Sequence, residues 1–392
     1  MRYKPPSSWQ KLAFKDAAEV ITGSTPSTKE PENYGEYLPF VTPGELDLGE
    51  PIIHAETSLS LVGKAKARTV PKDSVLVCCI GSLGKVGITG REVAFNQQIN
   101  ALVFNEKLVC PRYGYHYCRT LKPLLSHMAP STTVAIVNKS RFQSLEIPLP
   151  PLEEQRRIAA ILDKADGVRR KRKEAIRLTE ELLKSTFLEM FGDPVTNPKG
   201  WEICELQNVC NRVTDGTHQP PNWADEGIPF LFVSNIVNGE IDFKVSKHIT
   251  EESWFELTSR CPIEINDILY TTVGSYGNAA LVRTKNRFCF QRHIAHIKPD
   301  SRSIEPEFLL GMMQSDWIRQ QADKQARGVA QKTLNLRELK KFTIFTPPIE
   351  EQKKYVKLRQ GVETQLSYYR SALEQSENLF NSLLQRAFRG EL

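Results

Sequence analysis

The chain states one frame twice. Pro150-Pro151-Leu152-Glu153-Glu154-Gln155 returns as Pro347-Pro348-Ile349-Glu350-Glu351-Gln352, and each copy opens a long helical stretch. Trp9 recurs as Trp201, and Phe40-Val41-Thr42 matches Phe232-Val233-Ser234. The spacing between copies lengthens along the chain, and the residues between landmarks differ widely. A kept frame with rewritten contents points to two copies of one reading device that read different things.

A length of 392 residues suits two ordinary domains plus connecting elements. With 40% hydrophobic and 25% charged residues, the composition is that of a globular protein. The net charge of +6 leans toward an anionic partner without singling out nucleic acid. Met1 to Pro6 has no apolar run behind it, and no stretch approaches the roughly 18 apolar residues of a membrane span. The eight cysteines are scattered without a C-x-x-C pair, so a zinc ribbon is not expected. Buried free thiols in a reducing cytoplasm are the expectation.

Four blocks follow: a domain over 1–150, a helix over 151–193, a second domain over 194–347 and a distal helix over 348–392. In the first domain Ser74 to Ile80 reads as a buried strand feeding a turn with Gly81, Gly84 and Gly87. A helix is predicted after Pro111, with Tyr113, Tyr117, Leu121, Leu124 and Leu125 at helical spacing. Leu145 to Pro150 closes the unit as a short strand. Asp267 to Gly274, the helix from Pro306 and Phe342 to Phe345 repeat the scheme. The fold class is α+β: two homologous α/β domains separated by two long helices.

From Leu152 to about Phe191 there is no Pro and a single Gly. Ile158, Leu162, Ala165 and Val168 begin an apolar stripe that Leu178, Leu182, Leu183 and Phe187 continue. In the distal helix Tyr355, Val362 and Tyr369 recur at steps of seven, with Leu366, Leu373 and Phe380 alongside. That spacing predicts a coiled-coil seam. Pro151 and Pro348 suit a first helical turn, with paired glutamates at the positive helix end. Helices of about 40 residues are near 60 Å long. With a whole domain crossed between them, an antiparallel pairing is expected.

Enzyme signatures are missing. There is no phosphate loop of the G-x-x-x-x-G-K-[ST] type, and Gly81 to Gly87 leads into a strand-like run rather than a helix. Gln219-Pro220-Pro221-Asn222 has the wrong order for an amino-methyltransferase motif. His293 and His296 lie in an apparent strand, where positions three apart face opposite sides, so no metal site is expected.

Polar residues instead cluster at matched places. One cluster spans Thr22 to Ser27, with Thr25, answered by Thr214 to His218, with Thr217 and His218. A second holds Ser82 and Lys85, answered by Ser275, Tyr276 and Asn278. A third holds Gln97, Gln98 and Asn100, answered by Arg292 and His293. Amide groups pair with adenine and guanidinium with guanine. The plainer reading makes these residues turn formers. Arg169 to Lys173 suits either a phosphate backbone or a solvated helix face.

With the Pro-Pro-Leu-Glu-Glu-Gln helix start, the Phe95-Asn96-Gln97-Gln98 strand and the terminal Ala387-Phe388-Arg389-Gly390-Glu391-Leu392, the chain resembles the specificity subunit of Type I restriction-modification systems. The resemblance runs from Trp9 to Leu392. It implies two target-recognition domains, each reading half of a bipartite, asymmetric double-stranded DNA target, held apart by an antiparallel coiled coil with pseudo-two-fold symmetry. It also implies that the helices dock two modification subunits, which carry S-adenosylmethionine and methylate adenine, and that restriction subunits join them. This chain would hold no cofactor and no catalytic residue. Leu152, Ile158, Leu162, Leu182, Phe187, Tyr355, Val362, Leu366, Tyr369 and Leu373 are the candidates for the coil and for partner docking. A rod near 60 Å spans at most about 18 base steps, so a fixed spacer shorter than that is expected. The competing readings are a coiled-coil scaffold that binds proteins without DNA specificity, and a free-standing nuclease or methyltransferase.

Overall fold

The computed structural model describes residues 6–129, 134–237, 239–328 and 332–392. The opening residues, read above for a leader, lie outside that set. The chain forms two compact units. One is Met1–Arg177 with Tyr368–Leu392, the other Leu178–Ser367. Each unit combines one domain with a part of both long helices.

In the first unit Val75–Cys78 is buried along its whole length. Val75 and Val77 face a core shared with helices, while Leu76 and Cys78 face a core shared with a second sheet. A strand covered on both sides needs a continuous apolar run, because alternate side chains point to opposite faces. The sheet order is Ala18–Thr22, Ile99–Phe104, Val75–Cys78, Val86–Thr89, Pro51–Ile52. The second sheet joins Thr57–Leu59, Tyr34–Val41, Val93–Phe95 and Thr69–Val70.

The second unit repeats this plan. Its main sheet is Cys210–Asp215, Ile294–Pro299, Ile268–Thr271, Ala279–Leu281. Ile268 and Tyr270 face the helical core and Leu269 the other side. Closing strands Glu146–Leu149 and Thr343–Thr346 pair with Gln10–Ala13 and Glu202–Glu205.

Two expectations need correction. The helix after Pro111 is two helices, Pro111–Cys118 and Lys122–Met128. Pro123 lacks the N–H that a continuous helix would use, and it sits in the first turn of the second segment. The repeat is also misaligned at Phe40. The Asn96 N–H donates to the Val41 carbonyl, and the Gln291 N–H donates to that of Leu231. The counterpart of Phe40-Val41-Thr42 is therefore Phe230-Leu231-Phe232, two residues earlier than the match by residue type.

Leu152–Phe191 and Ile349–Ala387 are the long helices. In the first unit Ile158, Ala159 and Leu162 share a core with Phe380, Leu384, Ala387 and Phe388. In the second, Phe187 and Phe191 pack on Tyr355. The start of each helix thus meets the end of the other, an antiparallel arrangement.

Ile158, Leu162, Phe187, Tyr355 and Leu366 are buried, and Leu152, Val362, Tyr369 and Leu373 are half-buried. Leu182 is 58% exposed, Leu178 51% and Val168 44%, so the proposed stripe is wrong at these three. The inward path carries polar residues instead. Asp166 is buried, ion-paired with Arg119 and hydrogen-bonded by Arg169, and Arg172 bonds the Ala372 carbonyl and the Ser376 hydroxyl. Arg170 meets Glu50 and Lys173 meets Glu377. Four members of the basic run are thereby paired within the chain, while Lys171 and Lys173 stay exposed on a solvated face.

The repeated glutamine has a specific task. Gln155 is buried at the start of its helix. Its Oε1 accepts from the Cys110 N–H at 2.9 Å, and its Nε2 donates to the Leu108 carbonyl at 3.0 Å and the Pro150 carbonyl at 2.9 Å. Gln352 accepts from the Glu305 N–H at 2.8 Å and donates to Pro347 at 2.7 Å. Each clasp ties a long helix to the residue that precedes Pro111 or Pro306, where a short helix begins. Buried amides pair fully because an unmade bond costs about 1–3 kcal/mol. The neighbouring glutamates form exposed i,i+3 pairs with Arg156, Arg157, Lys353 and Lys354, contacts of small energetic weight.

Candidate nucleic-acid interface

Three loops leave each main sheet at the same end. In the first unit they follow Thr22, follow Cys78 and precede Ile99, positions adjacent across the sheet. Gly23 N–H donates to the Ile99 carbonyl, Ser24 N–H to Phe95, Cys79 N–H to Gln98 and Gly84 N–H to Cys78. The second unit makes the same bonds from Gly216 to Ile294, Thr217 to Phe290, Thr272 to His293 and Gly277 to Thr271. Gly81 and Gly84 have φ of 75°, and Gly274 and Gly277 have 71° and 90°. These left-handed angles suit glycine, which lets the turn be tight in both copies.

On this shared backbone the side chains differ. Thr25 donates its hydroxyl to the Gln97 side-chain Oε1, and the Asn96 side-chain amide donates to that of Gln98 at 2.9 Å. Thr25, Ser82 and Gln97 are exposed and Gln98 half-buried. Lys85 is half-buried, with its ammonium donating to the Pro43 carbonyl at 3.2 Å. In the second unit Arg292 and His293 take the places of Gln97 and Gln98. Arg292 and Ser275 are exposed, and Thr217, Asn278 and His293 are half-buried. His218 is exposed, with Nε2 at 2.7 Å from Asp215. Burial, then the charges of Arg292 and His218, hold the His293 imidazole below its usual range, so it presents a neutral ring near pH 7.

Two candidates are interior. Asn100 is 3% exposed and its side-chain Oδ1 accepts from the Thr22 hydroxyl at 2.7 Å across the paired strands. Tyr276 is 5% exposed, packs under Arg319 and bonds Asp323. It occupies the place of buried Leu83 in the first unit. Neither reaches a surface ligand. His293 lies in the loop, whereas His296 is buried in the strand and bonded to Asp267. Among the described residues, no group of His, Cys, Asp and Glu is placed to hold a metal ion.

Two contributors escaped the sequence reading. Arg68, exposed, donates to the Thr22 carbonyl at 2.8 Å, while its backbone N–H bonds the Ser24 hydroxyl. A fourth segment also joins the loop end. Gly81 N–H donates to the Ala135 carbonyl and Val137 N–H to Cys79, as Gly274 does to Lys332 and Leu334 to Thr272. Residue type carries no signal for it, since Val134 to Val137 and Lys332 to Leu334 have no residue type in common.

One loop frame built twice, with different amide, guanidinium and imidazole groups in the same places, belongs to a recognition protein with two readers. Residues 6–178 and 198–366 each match the Type I restriction modification DNA specificity domain, and the chain belongs to that family. Its part there is DNA recognition without catalysis. It is 25% identical to the Type I restriction enzyme EcoBI specificity subunit of Escherichia coli, over 98% of this chain and 86% of the relative. It is 24% identical to the MjaIX specificity subunit of Methanocaldococcus jannaschii, over 99% and 94%. Among solved structures, the S subunit of a Type I restriction-modification system from M. genitalium aligns with a TM-score of 0.57 at 16% identity, over 98% of both chains. A chain from work on complex assembly and conformational transition of the type I R-M system aligns at 0.55 with 20% identity, over 100% of both. These likenesses establish the shared fold. Among the described residues, no helix is long and apolar enough to cross a membrane.

Proposed function

We propose that each unit reads one half of a bipartite, asymmetric DNA target through its four-segment loop end, and that the two halves are read independently. The observation that carries this is the shared set of loop hydrogen bonds under unshared side chains. Gln97 and Gln98 stand in the first reader where Arg292 and His293 stand in the second. Amides suit the paired donor and acceptor of adenine, and the guanidinium suits guanine.

The long helices dock two modification subunits, which carry S-adenosylmethionine, and restriction subunits complete the complex in the cytoplasm. The buried seam residues hold this chain together and are not free for partners. The apolar side chains left outside, Leu178, Leu182, Leu188, Leu358, Tyr368 and Leu379, suit docking better.

The test is to replace residues 1–150 with the matching domain of another family member and sequence the adenine methylome of cells that supply the modification subunits. One half of the methylated sequence should change while the other stays. A change in both halves would refute independent reading, and methylation unaffected by the exchange would refute DNA reading by this domain.

A further inference from the structure

A second cluster lies away from the reading loops, in the second unit. The Cys261 sulfur is 3.4 Å from His296 Nδ1, and His296 Nε2 is 2.6 Å from Asp267 Oδ2. Asp267 also takes the Lys298 ammonium at 2.9 Å, and Lys298 reaches Glu264 at 2.8 Å. Arg212, on the neighbouring strand, donates to the Arg260 carbonyl beside Cys261 at 2.7 Å. His296 and Asp267 are buried, while Cys261 is partly open to solvent. A thiol, an imidazole that can take its proton and a carboxylate that orients the imidazole make up an activated nucleophile. At the matching positions of the first unit neither the imidazole nor the carboxylate is present. The strand registers place Ala101 where His296 stands and Ser74 where Asp267 stands.

We propose that Cys261 is a reactive thiol, a modification site for small soft electrophiles and low-molecular-weight disulfides, confined to the second reading domain. With a disulfide of the glutathione class, the Cys261 sulfur attacks one sulfur of the reagent. A new S–S bond forms as the old one breaks. The leaving thiolate takes the electron pair and is protonated by the imidazolium of His296, which had accepted the Cys261 proton. The chain gains a mixed disulfide, and the reagent is reduced to one thiol. With iodoacetamide a C–S bond forms and iodide departs.

Partial burial alone would raise the Cys261 thiol. The His296 hydrogen bond and charge, then Arg212 and Lys298, outweigh it, so the net direction is down. Burial likewise lowers His296, but the bonds from Asp267 and Cys261 bring it above its usual range. Burial raises the thiols of Cys78, Cys79, Cys118, Cys204, Cys210 and Cys289.

The experiment is sub-stoichiometric labelling of the full chain with iodoacetamide from pH 5.5 to 9, with each cysteine followed by peptide mass spectrometry. At pH 7, Cys261 should react about tenfold faster than any other cysteine, and its rate should level off below the ordinary thiol range near 8.5. Oxidised glutathione should give one mixed disulfide, at Cys261. H296Q should slow Cys261 by about tenfold and move its inflection up, with circular dichroism reporting whether that variant folds. If H296Q does not fold, the wild-type pH profile decides alone. Faster reaction at Cys110 or another cysteine, or a Cys261 inflection at or above 8.5, would overturn the assignment.

Discussion

In the first unit the cation stands on the short helix and the anion on the long one. Arg112 Nε meets Asp163 at 3.0 Å and His116 Nε2 meets it at 2.7 Å. In the second unit the order is reversed. Glu307 is on the short helix and Arg359, on the long one, lies 3.7 Å away. Gly311 stands where His116 stands, and a Cβ there would meet the Arg359 guanidinium at 2.9 Å. A glutamine clasps main chain at both seats, with three bonds at Gln155 and two at Gln352, while the charges are exchanged between partners. Duplication therefore preserved what geometry requires and let side chains drift in compensating pairs.

If the frame is common, equivalent deletions should cost alike but in different places. Phe388 packs on Tyr113 and Tyr117, and Phe191 packs on Phe308 and Tyr355. Phe388→Ala and Phe191→Ala should each destabilise by about 3–5 kcal/mol. Hydrogen exchange should place the first loss in Met1–Arg177 with Tyr368–Leu392 and the second in Leu178–Ser367. Losses spread evenly over both units would contradict separate seats.

Gln155→Ala and Gln352→Ala test the clasp. Each leaves buried backbone groups unpaired and should cost about 1–3 kcal/mol in urea unfolding. Gln155→Glu should not rescue, since a carboxylate cannot donate to the Leu108 and Pro150 carbonyls. Full stability in that variant would show that the donated bonds carry nothing.

The smallest effect separates the units by pH. His116 is buried beside Arg112 and Arg119. Burial lowers it, the Asp163 bond opposes, and the net direction is below 6.5. The Asp163 charge meets the same contest with the opposite result. Burial raises its carboxyl, but the bonds from His116 and Arg112 bring it down to about 2. His296 moves above 6.5. Its contribution is complete below pH 6.5 and is lost as pH rises through the folded value. The His116 effect has the other sign. As pH falls through 6.5 the unfolded chain takes up a proton that the folded one refuses, and stability drops. Lowering pH from 8 to 6 should tighten exchange in the second unit and loosen it in the first. His296→Gln and His116→Gln should each flatten one trend, and parallel trends in both units would defeat the assignment.

The repeat and the long helices were legible in sequence, because proline starts and uninterrupted helical runs are local signals, and their antiparallel sense followed from the whole domain crossed between them. The seam was only half legible. Periodicity counts apolar residues, and the inward path runs through buried Asp166, paired with Arg169, and through half-buried Arg172, held by Ala372 and Ser376. Arg119 and Arg169 both lie over the Phe380 ring, at 4.6 and 5.0 Å. Leu178 and Leu182 completed the pattern on paper and face outward. At the loops, residue type marked the right segments but not which members are covered. Asn100 and Tyr276 are polar by type and interior by position. Arg68 and the fourth segment arrive from other elements, which spacing along one strand cannot reveal.

The glutamine clasp has an evolutionary consequence. Gln155 and Gln352 grip main-chain atoms only, at Leu108, Cys110 and Pro150 and at Glu305 and Pro347. A grip on main chain is indifferent to the side chains of whatever it holds. Recombination that joins a foreign domain just ahead of the Pro-Pro pair inherits the fitting intact. New specificities can then enter by crossover within a gene, with no compensating change in the helix that receives them.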